Sequence, residues 1–365
     1  MNKNPQFHGS DIEAASAYYH IPKEDIVCYS SNVNPLGLSE SLKKALSDHL
    51  DVLSAYPDRN YCSLKSALAK YCDAPSEYFL VGNGSTEMIS VLIHTRRPKK
   101  ALIISPTYSE YGRELSLIGC VLDEYVLKEN NNFQLDFDDF SNCMKNRKYE
   151  LVILCNPNNP TSSALNVSEI RTMLEICRSY HSFLMIDETY VEFTDHPCEY
   201  SAMSLLTEYD NFIVLRGVSK FFASPGMRFG YAATSNQKLH EAFLKLQYPW
   251  SLNSLAAFAG EIMFFDTEYI SKTRTHILSE KNRMIEELSK NPCLKVYPAH
   301  ANFVLVKIAL PNVTSYQLFD ALMKKGLMIR DCSSFACLDG EYFRFCVMNT
   351  EENTRLLEAI HHFFE

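Results

Sequence analysis

Residues 211–233 have the sequence NFIVLRGVSKFFASPGMRFGYAA, in which two short apolar runs, FIVLR and FGYAA, flank a polar loop. Nearly continuous apolar runs of this length are typical of strands that are covered on both faces of a sheet. Three of the chain's 12 glycines, Gly217, Gly226 and Gly230, fall in this stretch. Glycines that are scarce elsewhere and clustered here indicate backbone positions where a side chain does not fit. The stretch therefore predicts two strands around a closely packed loop, and Lys220 lies in that loop.

Similar runs occur earlier in the chain and alternate with helical patterns. They are YFLVG (78–82), ALIIS (101–105), LVILC (151–155) and FLMID (183–187). Between the last two runs, VSEIRTMLEICRSY at 167–180 has the apolar spacing of a helix. Alternating strands and helices predict an α/β fold, with a large doubly wound domain and a predominantly parallel sheet over residues 46–250.

The remainder of the chain predicts a second, smaller domain. Residues 251–290 have the pattern of one long linking helix or of two in sequence, capped at the start by Ser251 or Asn253. Residues 291–365 mix strand and helix patterns, which predicts a small α+β domain. Residues 1–45 precede the first strand of the large domain, and we expect them to pack with the small domain.

Composition narrows the class of partner. The chain has 365 residues, a formal net charge of −9 and 46% hydrophobic residues. An acidic total argues against a nucleic-acid partner, which needs a basic face, and no apolar run approaches the ~20 residues of a membrane span. The 12 cysteines show no C-x-x-C pair and no metal-like spacing with histidine, so we predict no metal site. The N-terminus has no apolar signal region, and the cysteines therefore predict reduced thiols in a cytoplasmic protein.

Polar residues that directly follow the predicted strands are the candidate site residues, because ligands of open α/β sheets bind beyond the carboxyl ends of the strands. After the first run, Gly84, Ser85 and Thr86 would open a helix whose free N–H groups can bind an anion. The alternative is an ordinary turn with a helix cap, which is the better interpretation of this motif alone. After LVILC, Asn159 lies in the rigid loop NPNNPTS and can donate to a ligand oxygen, although Asn-Pro turns are common.

Two further strand ends carry candidate residues. Asp187 ends the run FLMID, and Tyr190 follows three residues later. A buried carboxylate needs a partner, which can be a ligand or the backbone amides of a turn. After FIVLR, the side chains of Ser219, Lys220 and Arg228 can converge, or Lys220 can be an ordinary exposed lysine.

One ligand accounts for all four groups. It carries a phosphate for the helix start, a ring nitrogen for the carboxylate, a phenolic oxygen for asparagine and tyrosine, and an aldehyde for the lysine. Pyridoxal phosphate has these features. A carboxylate keeps its ring nitrogen protonated, which makes the ring an electron sink, and a lysine amine forms a Schiff base with its aldehyde. Lys220 is therefore the predicted covalent anchor of the cofactor.

With these motifs the chain resembles, over nearly its whole length, the fold-type I pyridoxal-phosphate enzymes of the aspartate aminotransferase superfamily. The resemblance implies that Lys220 holds the cofactor, that Asp187 pairs with the ring nitrogen, and that Tyr108 in SPTYSEYGRE stacks on the ring. The residues implied for the ring hydroxyl are Asn159 and Tyr190, and those implied for the phosphate are Gly84, Ser85, Thr86, Ser219 and Arg228. Tyr56 in AYPD resembles a tyrosine that reaches the phosphate from the other subunit, which implies a homodimer with shared active sites.

Within this superfamily the chain is similar to two branches, the L-threonine O-3-phosphate decarboxylases of cobamide biosynthesis and the histidinol-phosphate aminotransferases. The strings FHGSD, YSSNVNPLG, YPDRNY and YPWSLNSLAAFAGE resemble the decarboxylases more. That resemblance implies a carboxy-lyase whose substrate phosphate and carboxylate are bound by His8, Asn32, Arg330 and Arg344. Two alternatives remain. One is an aminotransferase for histidinol phosphate or an aminophosphonate such as 2-aminoethylphosphonate, and the other is a non-catalytic module on the same fold.

Four positions depart from the pattern of these enzymes. Ser10 stands where the decarboxylases have the last glycine of HGG, and Ser162 replaces the common glycine after NPT. Gly217 stands where a serine or threonine usually adds a contact to the cofactor phosphate. Met348 stands where we expect a second basic residue after Arg344, and its neutral side chain favours a substrate with one fewer negative group.

Overall fold

The computed structural model describes Pro5, Phe7 and residues 9–145 and 147–365. In chain order the strands are β1 (Val27–Cys28), β2 (Phe79–Gly82), β3 (Lys100–Ser105), β4 (Val121–Val126), β5 (Leu151–Cys155), β6 (Phe183–Asp187), β7 (Phe212–Gly217), β8 (Gly230–Ala233), β9 (Leu294–Val296), β10 (Phe303–Ile308), β11 (Leu327–Met328), β12 (Arg330–Asp331) and β13 (Tyr342–Cys346). The helices are α1 (Ile12–Tyr19), α2 (Glu40–Asp48), α3 (Cys62–Cys72), α4 (Gly84–Arg96), α5 (Glu110–Leu117), α6 (Phe137–Met144), α7 (Val167–Ser179), α8 (Pro197–Tyr200), α9 (Gln237–Leu246), α10 (Ser254–Met263), α11 (Thr267–Ser289), α12 (Ser315–Met323) and α13 (Thr350–Phe364).

Within the described residues, the large sheet has seven strands in the order β2-β8-β7-β6-β5-β3-β4. Strands β3, β4, β5, β6 and β7 run parallel to one another, whereas β8 is antiparallel to both of its neighbours, β2 and β7. From β3 the chain moves outward to the edge strand β4, and it then returns to add β5, β6 and β7 on the other side. The direction of winding therefore reverses between β3 and β5. The predicted fold class, a doubly wound and predominantly parallel α/β sheet with a smaller α+β part, is confirmed.

Strand β4 is the one strand of this sheet that the apolar runs did not predict. Its sequence, VLDEYV, is partly charged, and most of its side chains are exposed or half-buried. In the part of the chain that the structure describes, it lies at the edge of the sheet with β3 as its one neighbour, so helices do not need to cover both of its faces. The signal used for the buried strands is therefore missing from an edge strand.

The buried strands of the large sheet are apolar because helices cover both faces. Successive side chains of a strand point to opposite faces. On one face Leu80, Ile153 and Leu215 join a core with residues of α4, α5 and α9. On the other face Val152 and Leu184 join the main core, which includes residues of α6 and α7.

The region predicted as one linking helix or two forms two helices, α10 and α11. Of the two predicted caps, Asn253 is the one that acts, since its side chain accepts a hydrogen bond from the backbone N–H of Ala256 at 2.8 Å. Ser251 instead accepts a hydrogen bond from Gln247. The side chain of Asp266 caps α11, which explains why the chain starts a new helix here.

The smaller sheet is antiparallel, with the order β12-β13-β10-β9. Near it, β1 pairs in parallel with β11, and the Tyr29 hydroxyl donates to the carbonyl oxygen of Glu352 in α13 at 2.6 Å. The N-terminal segment is thus in contact with the C-terminal part of the chain, while the boundaries at 45, 250 and 290 stay predictions. Each helix in the described residues is too short or too polar to cross a bilayer.

Candidate active site

A cavity of about 610 Å³ lies at the carboxyl ends of β3, β5, β6 and β7. The strand order reverses at this edge, and such a reversal leaves a crevice between the diverging connections. The candidate residues that line the cavity are Asn32, Ser85, Tyr108, Asn159, Asp187, Tyr190, Lys220, Arg330 and Arg344. The fold therefore brings together residues from both parts of the chain and from the N-terminal segment.

Lys220 lies in the turn after β7, and its side chain is partly buried in the cavity. Its Nζ donates to the carbonyl oxygen of Ser31 at 2.5 Å. Burial, and then the positive charge of Arg344, lower the pKa of this amine to about 8. A lysine with this pKa has a much larger share of neutral, nucleophilic amine at neutral pH than an ordinary lysine. The side chain is therefore not a solvated surface lysine.

Asp187 ends β6, and its carboxylate is buried against the cavity with 4% of the residue exposed. Its Oδ1 accepts from the backbone N–H of Thr189 at 2.9 Å and from the Thr189 hydroxyl at 2.5 Å. Its Oδ2 accepts from the Tyr111 hydroxyl at 2.6 Å. Burial raises the pKa of this carboxyl, and the hydrogen bonds from Thr189 and Tyr111 oppose the rise. The site can thus offer an oriented carboxylate to a protonated ring nitrogen.

The wall beside Asp187 is polar and incompletely paired. The Tyr190 hydroxyl accepts a hydrogen bond from Nδ2 of Asn32 at 3.2 Å. Asn159 accepts a hydrogen bond from Arg344 through its amide oxygen, which leaves its amide hydrogens for a ligand oxygen. Within the described residues, the buried Oδ1 of Asn32 has no hydrogen-bond partner. A buried acceptor of this kind is costly unless a ligand donates to it.

An anion site is built at the start of α4. Its first residue, Gly84, has a φ of +84°, a conformation that suits glycine. Among the described residues, the preceding Asn83 makes no capping hydrogen bond through its side chain, and the first N–H groups of a helix have no partner within the helix, so they can bind a ligand. A Cβ on Gly84 would lie 2.4 Å from a guanidinium nitrogen of Arg228, and a Cβ on Gly230 would lie 2.4 Å from the backbone nitrogen of Ser85. Close packing of an arginine on an uncapped helix start favours an anion site over a plain capped turn.

Tyr108 lines the cavity next to this helix start. Burial raises the pKa of its phenol to about 12, and the Thr86 hydroxyl and the charge of Arg228 oppose the rise. Its ring meets the ring of Tyr111 edge-on, with centroids 5.6 Å apart. Ser219 directly precedes the cavity lysine and is partly buried. Tyr108 thus adjoins the anion site, whereas the contact of Ser219 with a phosphate stays a prediction.

Arg330 and Arg344 face each other in register across β12 and β13. Opposed residues of antiparallel strands project from the same face, and both side chains line the cavity. Arg344 is 3% exposed and donates to the Ser30 carbonyl oxygen at 2.7 Å, while Arg330 donates to the carbonyl oxygen of Phe7 and to the Ser334 hydroxyl. Burial and the charge of Arg344 lower the pKa of Arg330. Like charges in this position repel each other unless an anion lies between them.

Among the predicted site residues that the structure describes, Tyr56 stands apart from these groups. Tyr56 is 81% exposed and lies beside Trp250, with ring centroids 5.0 Å apart. It is not among the residues that line the cavity of its own chain, which is compatible with a role in the site of a second subunit. His8 lies outside the described residues.

The departures from the family pattern have different structural meanings. A Cβ on Gly217 would lie 3.5 Å from the Cβ of Ser85, an ordinary contact, so a side chain fits there. Ser162 has a φ of +59°, which explains the usual glycine, and its hydroxyl accepts the N–H of Ala301 at 2.9 Å. Met348 is not among the lining residues. The prediction that its neutral side chain bears on the substrate stays a prediction.

The sequence did not predict three residues that complete the site. Tyr111 and Thr189 hold Asp187, and Asn302 donates to the carbonyl oxygen of Asn32 at 3.1 Å. Tyr111 follows Tyr108 by three residues, a spacing that brings two side chains to the same side of a helical turn, and this was a usable signal. Asn302 lies far from the site in sequence, and no local pattern indicates its role.

Comparison with known proteins identifies the family. The sequence profile of the class I and II aminotransferases matches residues 24–360. The chain therefore belongs to this family, whose enzymes depend on pyridoxal phosphate. The predicted superfamily and the predicted cofactor are confirmed.

Relatives carry two different names. A threonine-phosphate decarboxylase of Salmonella typhimurium is 33% identical over 353 residues, which cover 97% of this chain and 95% of that protein. A histidinol-phosphate aminotransferase of Archaeoglobus fulgidus is 33% identical, covering 93% of each chain. Among solved structures, the histidinol-phosphate aminotransferase of Clostridium acetobutylicum is similar at 33% identity with a TM-score of 0.85, covering 92% of this chain and 98% of that one.

The residues at the cavity fit pyridoxal phosphate. The buried carboxylate of Asp187 suits a ring nitrogen, and the uncapped start of α4 with Arg228 suits a phosphate. The amine of Lys220, with its pKa lowered to about 8, suits an aldehyde. Asn159 lines the same cavity and has amide hydrogens that can bind the ring hydroxyl.

Proposed function

We propose that this member of the class I and II aminotransferases is a carboxy-lyase for a phosphorylated amino acid, and that its substrate is L-threonine O-3-phosphate. The products are CO2 and (R)-1-aminopropan-2-ol O-phosphate, a building block for cobamide assembly. One observation carries the proposal: Arg330 and Arg344 oppose each other in register and face the cavity that also holds Lys220 and Asp187.

Two opposed arginines are suited to a substrate with two anionic groups. A guanidinium binds a carboxylate or a phosphate through parallel N–H donors. In our proposal Arg344 and Arg330 divide the carboxylate and the phosphate between them, and Asn32 and His8 add contacts. The unpartnered Nε of Arg344 and the unpartnered Oδ1 of Asn32, both buried among the described residues, support ligand binding at this wall.

In the same proposal, residues at the strand ends hold the cofactor. Lys220 is its covalent anchor, Asp187 pairs with the ring nitrogen, and Tyr108 stacks on the ring. The ring hydroxyl is bound by Asn159 and Tyr190, and the phosphate by Gly84, Ser85, Thr86, Ser219 and Arg228. Support comes from the contacts that surround Asp187 and from the close packing of Arg228 on Gly84.

The choice of reaction depends on how the protein orients the substrate. When bound, pyridoxal phosphate would withdraw electrons from the α-carbon of an attached amino acid, and the orientation in which the protein holds the substrate would decide which bond of that carbon breaks. In our proposal Arg330 and Arg344 orient the substrate so that its carboxylate is the group that would leave, as CO2. In our proposal the amine of Lys220 returns a proton to the α-carbon, and its pKa, lowered to about 8, supports this role. A preference of about 1.4 kcal/mol between two orientations changes the ratio of products tenfold.

The second candidate is an aminotransferase for histidinol phosphate or for an aminophosphonate such as 2-aminoethylphosphonate. It is favoured by the similarity to histidinol-phosphate aminotransferases, which equals the similarity to the decarboxylase in identity. Neither of these substrates carries a carboxylate on its α-carbon, so the α-proton would leave instead of CO2. A non-catalytic module is disfavoured, because Lys220, Asp187 and Tyr190 are all present at one cavity.

We also propose that the enzyme is a homodimer and that Tyr56 serves the cofactor phosphate of the second subunit. Tyr56 is exposed, and so are the large apolar side chains of Leu53 and Tyr248. A surface of this kind suits burial between subunits. Free thiols at all 12 cysteines are compatible with the cytoplasmic location predicted from the sequence.

One assay separates these functions. The holoenzyme receives excess O-phospho-L-threonine without any keto acid, and both CO2 release and the visible absorbance of the bound cofactor are followed. We expect steady CO2 release while the absorbance is retained. Loss of the absorbance after a single turnover, without CO2, would identify an aminotransferase. If neither signal changed, the proposed substrate would be wrong, and histidinol phosphate and 2-aminoethylphosphonate would be tested next.

A further inference from the structure

Tyr111 joins two parts of the proposed cofactor site. It lies in α5, is fully buried, and lines the cavity. Its hydroxyl donates to Oδ2 of Asp187 at 2.6 Å. Its ring meets Tyr108 edge-on, at 85° between the ring planes. Tyr111 therefore contacts both Asp187, which we propose pairs with the cofactor's ring nitrogen, and Tyr108, which we propose stacks on the cofactor ring.

The two oxygens of Asp187 are held from different directions. Thr189 donates to Oδ1 through both its backbone N–H and its hydroxyl, whereas Tyr111 donates to Oδ2 from a separate helix. Thr189 belongs to the turn that follows Asp187 itself, so its contacts move with the carboxylate. The contact from Tyr111 instead ties the carboxylate to α5 and thus fixes its direction relative to the cavity.

The hydroxyl of Tyr111 also affects the charge of the carboxylate. A buried carboxyl tends to take up a proton, because burial disfavours the charged form. A donor hydrogen bond to an ionised oxygen opposes that tendency. The other titratable groups that interact with Asp187, among the residues that the structure describes, are the phenols of Tyr108 and Tyr190 and the thiol of Cys155. Burial raises the pKa of each of them, so these neighbours are neutral at physiological pH.

We infer that Tyr111 is a positioning residue for cofactor binding: its hydroxyl keeps the Asp187 carboxylate ionised and directed at the ring nitrogen of pyridoxal phosphate. This inference rests on the role that the proposed function gives to Asp187. It goes beyond that role, because it assigns the strength of the ring-nitrogen contact to a residue that does not itself touch the cofactor nitrogen.

The test compares two ligands on one variant. Tyr111→Phe removes the hydroxyl and keeps the ring that contacts Tyr108. Dissociation constants are measured for pyridoxal phosphate and for 1-deazapyridoxal phosphate, which has carbon in place of the ring nitrogen. We expect the variant to bind pyridoxal phosphate about tenfold more weakly than the wild type, the scale of one hydrogen bond to a charged group, and to bind the deaza analogue as the wild type does.

A matched control is available in another buried tyrosine. The Tyr149 hydroxyl donates to Oδ2 of Asp123 at 2.7 Å, and neither residue lines the cavity. Tyr149→Phe therefore loses the same type of bond without touching the site, and we expect both ligands to bind it as they bind the wild type. If Tyr111→Phe weakened both ligands equally, or neither, the inference would be overturned.

The same series separates this inference from the proposed function. Asp187→Asn should lose affinity for pyridoxal phosphate and not for the deaza analogue. If Asp187→Asn treated the two ligands alike, the role proposed for Asp187 would fail. If Asp187→Asn weakened the binding of pyridoxal phosphate alone, while Tyr111→Phe did not, the role of Asp187 would stand and the inference about Tyr111 would fail.

Discussion

At the scale of single residues, burial decides what Lys220 and Lys281 can do. Both amines have a pKa lowered to about 8, mainly by burial. Lys220 lines the cavity, whereas Lys281 is 3% exposed and donates to the Ala301 carbonyl oxygen at 3.0 Å. The two lysines thus have similarly lowered pKa values, but Lys220 is accessible from the cavity and Lys281 is buried.

This difference predicts the labelling of the cofactor-free protein by an amine-acylating reagent. The folded pKa is below the usual value, so the neutral, reactive amine of Lys220 appears as the pH rises through about 8. We expect the labelling rate at Lys220 to be half-maximal near pH 8. The labelling rate of surface lysines should be half-maximal near pH ~10.4. Lys281 should react slowly at every pH. Peptide mass spectrometry measures the labelling rate at each lysine. If the rate at Lys220 rose over the same pH range as the rates at surface lysines, the prediction would be contradicted.

Gly217 is the second residue with a testable consequence. A Cβ there has ordinary contacts with Ser85, at the start of α4. Gly217→Ser should therefore fold and add a hydroxyl beside the proposed phosphate site, tightening pyridoxal-phosphate binding by up to about tenfold. Gly217→Ala, which adds the Cβ alone, is the control and should bind as the wild type does. Weaker binding by the serine variant than by the alanine variant would show that the hydroxyl does not reach the phosphate.

At the scale of elements, the pairing of β12 with β13 sets two positive charges against each other. We expect O-phospho-L-threonine to raise the thermal unfolding temperature of the wild type by occupying this position. Arg344→Gln should bind the ligand about 100-fold more weakly, since a buried charged contact is lost. The control is Arg171→Gln, which removes a surface arginine paired with Glu208. An equal ligand-induced shift in Arg344→Gln and wild type would exclude Arg344 from the anion site.

At the scale of the whole molecule, the exposure of Tyr56 predicts shared active sites. Lys220→Ala and Tyr56→Ala should each reduce activity strongly. In a mixed dimer of the two variants, one site combines an intact Lys220 with an intact Tyr56 of the other subunit. Unfolding and refolding the variants together at equal amounts should therefore restore about a quarter of the wild-type activity. Refolding each variant alone is the control, and a mixture no more active than its parts would mean that each site belongs to one chain.

Much of the fold follows from local sequence patterns. The buried strands β3, β5, β6 and β7 are apolar throughout because helices cover both of their faces, and this pattern is visible without a structure. The polar residues Asn159, Asp187 and Lys220 were candidates because they follow strand ends. The edge strand β4 was not predicted, because a strand that is partly exposed to solvent has no continuous apolar run.

The sequence by itself determined the class of fold, the cofactor and the residues at the strand ends, because each depends on short-range patterns or on motifs within a few residues. Only the tertiary structure decided which side chains hold one another. Tyr111 and Asp187 are 76 residues apart, and Asn159 and Arg344 are 185 apart. It also decided that Arg330 opposes Arg344. Such contacts arise from the packing of separate elements, and no local pattern encodes the distance between two atoms on different strands or helices.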